Sequence, residues 1–355
     1  MSVFLRTRVS GVLESIRKME RRRKLAYGIL SVALLAVLAA WYIGVRQAEA
    51  ATPCGCWIVT TNQANNTIEV YDPVVYNWNT ATAKKWSWKP STALGYSTTE
   101  VGWWGGPSDV KLRNNSVWGG QWVVATAGRL ATIASYPGGV RKWAVDVGAG
   151  SNPHSAELLP NGNLAVAATD AGSVRVYPTS PGGGVPGEYP LLASHATLWD
   201  PANEVLWVIG QDPVTKEHIL TALTVGGTVS APTLTEDLSR RSILPTPWGH
   251  DVSAYYYDTN KLWVSTNAAV YIYDKTAKTF TSAPSGANRS FVKGVSNQPS
   301  GQIVETKADA TKTPPGACTA SGWCTDTVDF YAPNATRTVT GAAFYKARVW
   351  GPDYQ

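Results

Sequence analysis

Three of the four histidines in this chain occupy similar places in a repeated pattern of strands. His154, His195 and His250 each lie a few residues before a tight turn, at the predicted start of a strand. Lys293 takes the corresponding place in the next repeat, and Asp109 takes it in an earlier one. Imidazole is suited to proton transfer near neutral pH, because its ordinary pKa of about 6.5 leaves it largely unprotonated.

The repeat itself is a set of short strands separated by turns. From residue 57 onward, β-branched and aromatic runs alternate with Gly, Pro, Asn and Asp, and no long amphipathic helix is indicated. A Val-x-Val-Tyr type of strand recurs at a spacing typical of four-stranded propeller blades. Its copies are residues 68–72, 133–137, 174–178, 219–223, 270–274 and 328–332, of which 219–223 is the most degenerate.

These copies predict an all-β chain folded as a six-bladed β-propeller. The first blade begins at its second strand, near Trp57, and the C-terminal strand at 344–350 has no partner in its own repeat. We expect this last strand to complete the first blade and close the ring, because closure removes exposed sheet edges. Seven blades, with one hidden in residues 73–106, are the main alternative. A two-sheet sandwich would not need the repeat.

Circular closure would carry the histidines and Lys293 to one mouth of the central channel. Arg129 lies in a loop expected on the same face, where it could clamp a carboxylate or form a surface ion pair. Trp103 and Trp104 offer a platform for sugar rings, and core packing is the alternative. Trp323 lies in the longest loop, which is either functional or a bare insertion. His218 falls outside the pattern.

Charge and hydropathy divide the chain at about residue 50. Residues 1–50 hold nine Lys or Arg and three Asp or Glu, whereas residues 51–355 hold 22 of each. The basic excess of +6 therefore resides in the N-terminal segment, and the remainder gives no electrostatic argument for a nucleic-acid partner. An apolar run at 26–45 and the sequence Ala-Glu-Ala at 48–50 predict a signal peptide, with an uncleaved signal-anchor as the alternative. Either way the domain at 51–355 is expected outside the cell, and only the leader would touch a membrane.

The cysteines agree with export. All four lie in the second segment, where an oxidising compartment would pair them. We predict a disulfide between Cys318 and Cys324. A bond between Cys54 and Cys56 would close a tight, strained ring and is less favoured.

Residues 152–160 and 249–253 resemble stretches of an uncharacterised family of exported bacterial and fungal β-propellers. This resemblance covers nearly all of residues 55–350. A more distant similarity, at the level of fold and site position, is to propeller polysaccharide lyases that cleave rhamnosyl-glucuronate or oligogalacturonate linkages. Fold alone does not fix function.

Two functions follow as hypotheses, both with a poly- or oligosaccharide as partner. The first is a lyase acting on uronate by β-elimination, with His154 as base, His250 as acid or orienting group, and Lys293 and Arg129 neutralising the carboxylate. In a variant, His195 and His250 hold a divalent metal ion. Asp109, Trp103, Trp104 and Trp323 would contact substrate. The second hypothesis is a non-catalytic glycan-binding or scaffold propeller.

Overall fold

A computed structural model describes residues 56–284 and 286–355, which fold as a ring of six four-stranded antiparallel sheets. The predicted leader, its cleavage site and Cys54 lie outside the described residues. No helix within the described part of the chain is long and apolar enough to cross a bilayer. The regular helices there are one short α-helix, α1 (Thr98–Trp103), and the 3₁₀ turns Thr92–Leu94 and Asp309–Thr311.

Each sheet is one blade, and five of the blades use four consecutive strands. The first three blades contain β1 (Ile58–Asn62), β2 (Thr67–Tyr71), β3 (Lys84–Trp88), β4 (Pro107–Asn114), β5 (Gln121–Ala127), β6 (Leu130–Ser135), β7 (Arg141–Asp146), β8 (Pro153–Leu158), β9 (Leu164–Ala168), β10 (Ser173–Tyr177) and β11 (Gly187–Pro190). The last three contain β12 (Leu192–Asp200), β13 (Val205–Gln211), β14 (His218–Gly227), β15 (Pro232–Ile243), β16 (Gly249–Ala254), β17 (Lys261–Thr266), β18 (Val270–Asp274), β19 (Thr279–Ser282), β20 (Val292–Asn297), β21 (Ile303–Lys307), β22 (Thr327–Tyr331) and β23 (Ala335–Thr338).

The last strand, β24 (Phe344–Val349), closes the ring as predicted. It pairs antiparallel with β1, so blade one has the strand order β24-β1-β2-β3. The six-bladed prediction is therefore confirmed. The seven-bladed alternative is wrong, because residues 73–106 contain the outer strand of blade one, a 3₁₀ turn and α1 instead of another sheet.

The core consists of apolar layers between consecutive blades. Blades four and five share one layer, in which Trp207 and Leu198 pack with Val252 and Tyr273. Blades six and one share another, in which Phe344 of the closing strand packs near Val328. Because each blade buries both faces, its strands carry apolar side chains toward both neighbours. This packing fixes the positions of the innermost strands, which are β24, β4, β8, β12, β16 and β20.

Every innermost strand has an irregular register near its start. The inner strand pairs with the second strand of its blade, but one or more of its residues near the start are skipped in this pairing, as in a β-bulge. A bulge bends the strand and redirects a side chain, which is how these six strands turn residues toward the channel mouth. The residues at these irregularities, called the rim residues below, are Ser108, His154, His195, His250, Lys293 and Tyr345.

Candidate functional site

The rim residues meet at one mouth of the central channel. The ring centroids of His154 and His195 are 4.5 Å apart, and those of His195 and His250 are 5.1 Å apart. Lys293 Nζ lies 2.7 Å from His250 Nε2, and the Tyr345 ring lies 5.7 Å from His154. The structure thus brings together the three histidines and the lysine that the sequence placed at the same point of successive repeats.

In blade two the rim residue is Ser108, so the predicted equivalence of Asp109 is wrong by one residue. The register skips from Pro107 to Asp109, which leaves Ser108 at the bulge. Asp109 lies one step deeper in the channel, 1% exposed, with Arg348 Nη2 3.0 Å and Lys111 Nζ 3.2 Å from its oxygens. These cations hold the pKa of its carboxyl well below its usual range despite burial.

Two of the imidazoles are fixed by a backbone carbonyl two residues earlier. His154 Nδ1 is 2.9 Å from the Asn152 carbonyl, and His195 Nδ1 is 2.8 Å from the Ala193 carbonyl. A carbonyl only accepts, so in each ring Nδ1 carries the proton and the neutral imidazole keeps its lone pair on Nε2. His154 and His195 are partly exposed. Both therefore present a proton acceptor at the mouth.

His250 is bound differently. Its Nε2 lies 2.5 Å from Asn267 Oδ1, on the turn that follows β17, as well as beside Lys293. His250 and Lys293 are both buried, at 6% and 2% exposure. No group of three or more His, Cys, Asp or Glu side chains within residues 56–284 and 286–355 is arranged to hold a metal ion. Because His250 Nε2 is engaged by Asn267 and Lys293, His195 and His250 do not present the two free nitrogen lone pairs that a shared divalent metal ion would need as ligands.

Burial keeps the rim histidines unprotonated. It lowers the pKa of His154 to about 4, and the charges of Lys346 and Lys293 act in the same direction. Burial and the charge of Lys293 lower the pKa of His250 to about 3. Burial and the two neighbouring imidazoles place the pKa of His195 well below its ordinary value. The three imidazoles are therefore neutral at physiological pH.

Lys293 is a buried amine that lacks a carboxylate partner. Its contacts are His250 and the face of Trp323, whose ring centroid is 3.8 Å from Nζ. No carboxylate in the described part of the chain forms an ion pair with it. Burial and the nearby charge of Lys346 lower the pKa of Lys293 to about 7. An ammonium at this position lacks the compensation that buried charges normally require.

Below the rim, the channel is filled by a buried ionic network. Asp109 and Asp251 share the guanidinium of Arg348, and Glu157 binds Arg113 through Nε at 2.7 Å. Cations outnumber carboxylates among the buried side chains of the channel and rim. The five cations are Lys111, Arg113, Lys293, Lys346 and Arg348, and the three carboxylates are Asp109, Glu157 and Asp251.

The positive charges with the weakest carboxylate partners lie at the end of this network next to the rim. Lys346 Nζ is 3.4 Å from Asp251 Oδ1, whereas Arg348 Nη2 is 2.6 Å from the same oxygen. Lys346 and Lys293 are thus the two cations with the poorest partners, and both lie next to the histidines. At the opposite end, Tyr354 Oη donates to the Leu158 carbonyl and the Tyr354 ring packs against Arg113.

The loop after β21 places Trp323 over the rim. The carboxylate of buried Asp309 accepts bonds from Thr325 Oγ1, Lys312 Nζ and the Cys318 amide, which ties the two ends of the loop together. The predicted disulfide between Cys318 and Cys324 is present. Trp323 is 47% exposed and its ring lies 6.4 Å from His250.

The contacts of Arg129, Trp103 and Trp104 are with residues outside this cluster. Arg129 pairs with Asp146 and stacks on Trp103, which matches the surface ion pair given as its alternative. Trp104 donates from Nε1 to the Asn66 carbonyl and packs against Trp88 in the layer between blades one and two. Tyr345 and Lys346 were not among the predicted site residues. Aligning the closing strand with the other inner strands would have predicted them.

Fold and site together define a six-bladed β-propeller with an imidazole- and amine-lined mouth. The chain belongs to a family of unknown function (DUF6528), whose model matches residues 46–348. It is similar in structure to a protein of unknown function from Bacteroides caccae, with a TM-score of 0.50 and 11% identity over 83% of this chain and 98% of that one. It also matches hydrazine synthase from Kuenenia stuttgartiensis, with a TM-score of 0.42 and 13% identity over 65% of each chain. No curated protein matches the chain. None of these comparisons names a polysaccharide lyase, so the distant similarity to lyases gains no support from them.

Proposed function

We propose that the channel mouth binds an acidic saccharide and acts on it as a uronate lyase. One observation carries this proposal: within the described residues, the buried amine of Lys293 has no carboxylate partner, and it contacts one of three neutral imidazoles at the channel mouth. The protonated amine calls for an anion, and the imidazoles supply proton acceptors. A sugar carboxylate with an acidic proton on the adjacent carbon satisfies both.

The substrate carboxylate would lie beside Lys293 and above Lys346. The two excess cations of the channel are these two residues, so a bound carboxylate offsets a charge that the protein leaves uncompensated. At about 4 Å from one ammonium, a carboxylate gains on the order of 4 kcal/mol where the effective dielectric constant is about 20. The same interaction stabilises the additional charge that develops on the carboxylate as its neighbouring carbon loses a proton.

His154 is the base in this proposal. Its Nε2 lone pair takes the proton from the carbon next to the carboxylate, the electrons of that C–H bond form a carbon–carbon double bond, and the glycosidic C–O bond breaks. The leaving oxygen takes a proton from the Tyr345 phenol, which burial keeps protonated by raising its pKa. His250 then orients Lys293 and has no role as the acid.

A second candidate is glycan binding without catalysis, and the position of Trp323 favours it. This indole covers Lys293 and leaves 47% of its surface exposed, as a stacking platform for a sugar ring would. The second candidate needs the same anion site but none of the proton transfers.

The experiment is incubation of the protein with polygalacturonate and with glucuronate-containing polysaccharides, monitored by ultraviolet absorbance of the unsaturated product. We expect product from the wild type and none from His154→Gln, while Arg175→Gln, on the third strand of the same blade, stays active. Binding of these polymers with no product from the wild type would select the non-catalytic candidate. Absence of both binding and product would refute the proposal.

We also infer that the domain is exported. The Cys318–Cys324 disulfide is the observation that supports export, because cytosolic thiols are normally kept reduced. Fractionation of cells that express the full chain, followed by thiol alkylation, tests this. A reduced protein in the cytosol would contradict it.

A further inference from the structure

A second exposed tryptophan lies two residues before a rim residue. Trp248 precedes His250 by two residues, and its side chain is 49% exposed. One neighbour of the indole is the His218 ring, with centroids 4.7 Å apart. Its Nε1 donates no hydrogen bond within the part of the chain that the structure describes. Trp248 was not among the site residues predicted from the sequence.

The backbone of Trp248 is left-handed, which is costly for a bulky residue. Its φ is 63°, whereas an L-residue in this region loses about 1–2 kcal/mol through contact of Cβ with the backbone. The same conformation recurs two residues before the rim residue in five blades. The φ values are 58° at Gly106, 52° at Asn152, 49° at Ala193, 63° at Trp248 and 58° at Phe291.

The left-handed position has a structural task that needs no side chain. At Asn152 and Ala193 it turns the carbonyl toward the Nδ1 atom of the rim histidine. At Trp248 the carbonyl accepts from the Asn267 amide instead. Glycine performs the turn in blade two and asparagine, which tolerates this region, performs it in blade three. Blade five therefore holds a strained residue where glycine would serve the backbone better.

Burial does not explain this choice, because half of the indole is exposed to solvent. Strain that folding alone does not require is a common mark of a functional position. The Trp248 backbone is connected to the rim through Asn267, whose amide donates to the Trp248 carbonyl and whose Oδ1 contacts His250 Nε2. Trp323 contacts the same histidine from the loop of blade six.

We propose that Trp248 is the stacking platform for a pyranose ring of the acidic saccharide, next to the ring whose carboxylate lies beside Lys293. The aliphatic face of the sugar packs on the indole, and Nε1 is free to donate to a sugar hydroxyl. This subsite rests on the proposed function, since it takes a further ring of the same ligand. It makes an oligosaccharide bind more tightly than a single uronate.

The test compares Trp248→Gly with the wild type in titrations with tetragalacturonate and with monomeric galacturonate. We expect Trp248→Gly to weaken tetragalacturonate binding roughly 5- to 10-fold, the range of an aromatic stacking contact, and to leave the monomer affinity unchanged. Its melting temperature should equal or exceed that of the wild type, because glycine removes the strain. Trp248→Phe should retain most of the affinity.

Lys278→Gly is the matched control. Lys278 is exposed, lies in the outer turn of the same blade and has a φ of 55°. Its replacement by glycine therefore relieves the same kind of backbone strain at a position away from the mouth. Its affinity for both sugars should equal that of the wild type.

Failure of the subsite and failure of the proposed function would give different results. Equal tetragalacturonate affinity of Trp248→Gly and the wild type would overturn the subsite and leave the proposed function standing. A wild type that binds neither sugar nor any other polyuronate would overturn the proposed function and the subsite with it.

Discussion

Replacing Lys293 by methionine should stabilise the protein in a pH-dependent manner. Methionine keeps the length of the side chain and its packing on Trp323 but removes the uncompensated ammonium. Burial and Lys346 lower the pKa of Lys293 from 10.5 to about 7. In the unfolded chain the amine keeps its proton up to its ordinary pKa of 10.5. Between about pH 7 and pH 10.5 the unfolded state therefore binds one more proton than the folded state, and the free energy of unfolding of the wild type rises with pH.

The magnitude follows from the size of the pKa shift. Each pKa unit corresponds to 1.36 kcal/mol, so an amine lowered to about 7 destabilises the wild type by about 5 kcal/mol at a pH below its folded pKa. At about 2 °C per kcal/mol for a domain of this size, Lys293→Met should melt about 10 °C above the wild type near pH 6. The difference should shrink as the pH rises above about 7 and should approach zero only above about 10.5, where the amine is neutral in both states.

The assay is thermal unfolding by circular dichroism at several pH values, with Lys89→Met as the control. Lys89 is exposed next to blade one, and its replacement should change the melting temperature only slightly. A Lys293→Met melting temperature that tracks the wild type at a constant offset from pH 6 to pH 10 would refute the reasoning, because a compensated amine has no such linkage.

Two further predictions concern the groups around Lys293. Arg348→Met leaves Asp109 and Asp251 buried without their shared cation and should cost about 3–5 kcal/mol in urea unfolding, whereas Arg175→Met at an exposed pair should cost less than about 1 kcal/mol; equal losses would contradict the buried network. The imidazoles of His154 and His250, with pKa values of about 4 and about 3, should show no protonation in NMR titrations down to about pH 5, and midpoints near the ordinary value of about 6.5 would contradict their desolvation.

The fold could be predicted because short stretches of the sequence show the repeated pattern of strands and turns. The third strand of each blade is a run of β-branched and aromatic residues, and the leftover strand around Phe344 could only pair with the incomplete first blade. The long segment at 73–106 was ambiguous because its length permits a blade. Its short helix begins at a capping box formed by Ser97 and Glu100, which becomes evident once the helix is known.

The site was predicted less completely, and the bulges explain why. A bulge adds a residue that shifts the inward and outward alternation at a point the sequence does not mark, so the rim position of blade two was assigned to Asp109 when it is Ser108. The role of Trp248 depends on a left-handed φ, which a tryptophan in sequence does not suggest. The signal that existed was the constant spacing of two residues between Asn152, Ala193, Trp248 and Phe291 and the rim residue that follows each.

The most direct test of the central claim is the proton uptake that accompanies binding of an acidic saccharide. Calorimetric titration with tetragalacturonate near pH 8, in buffers of different ionisation enthalpy, measures that number. The free amine is mostly neutral there, and a neighbouring carboxylate that raises its pKa by about two units should draw in roughly 0.8 proton per site, an uptake that Lys293→Met abolishes. Binding without proton uptake, or uptake that persists in Lys293→Met, would contradict an anion site at Lys293.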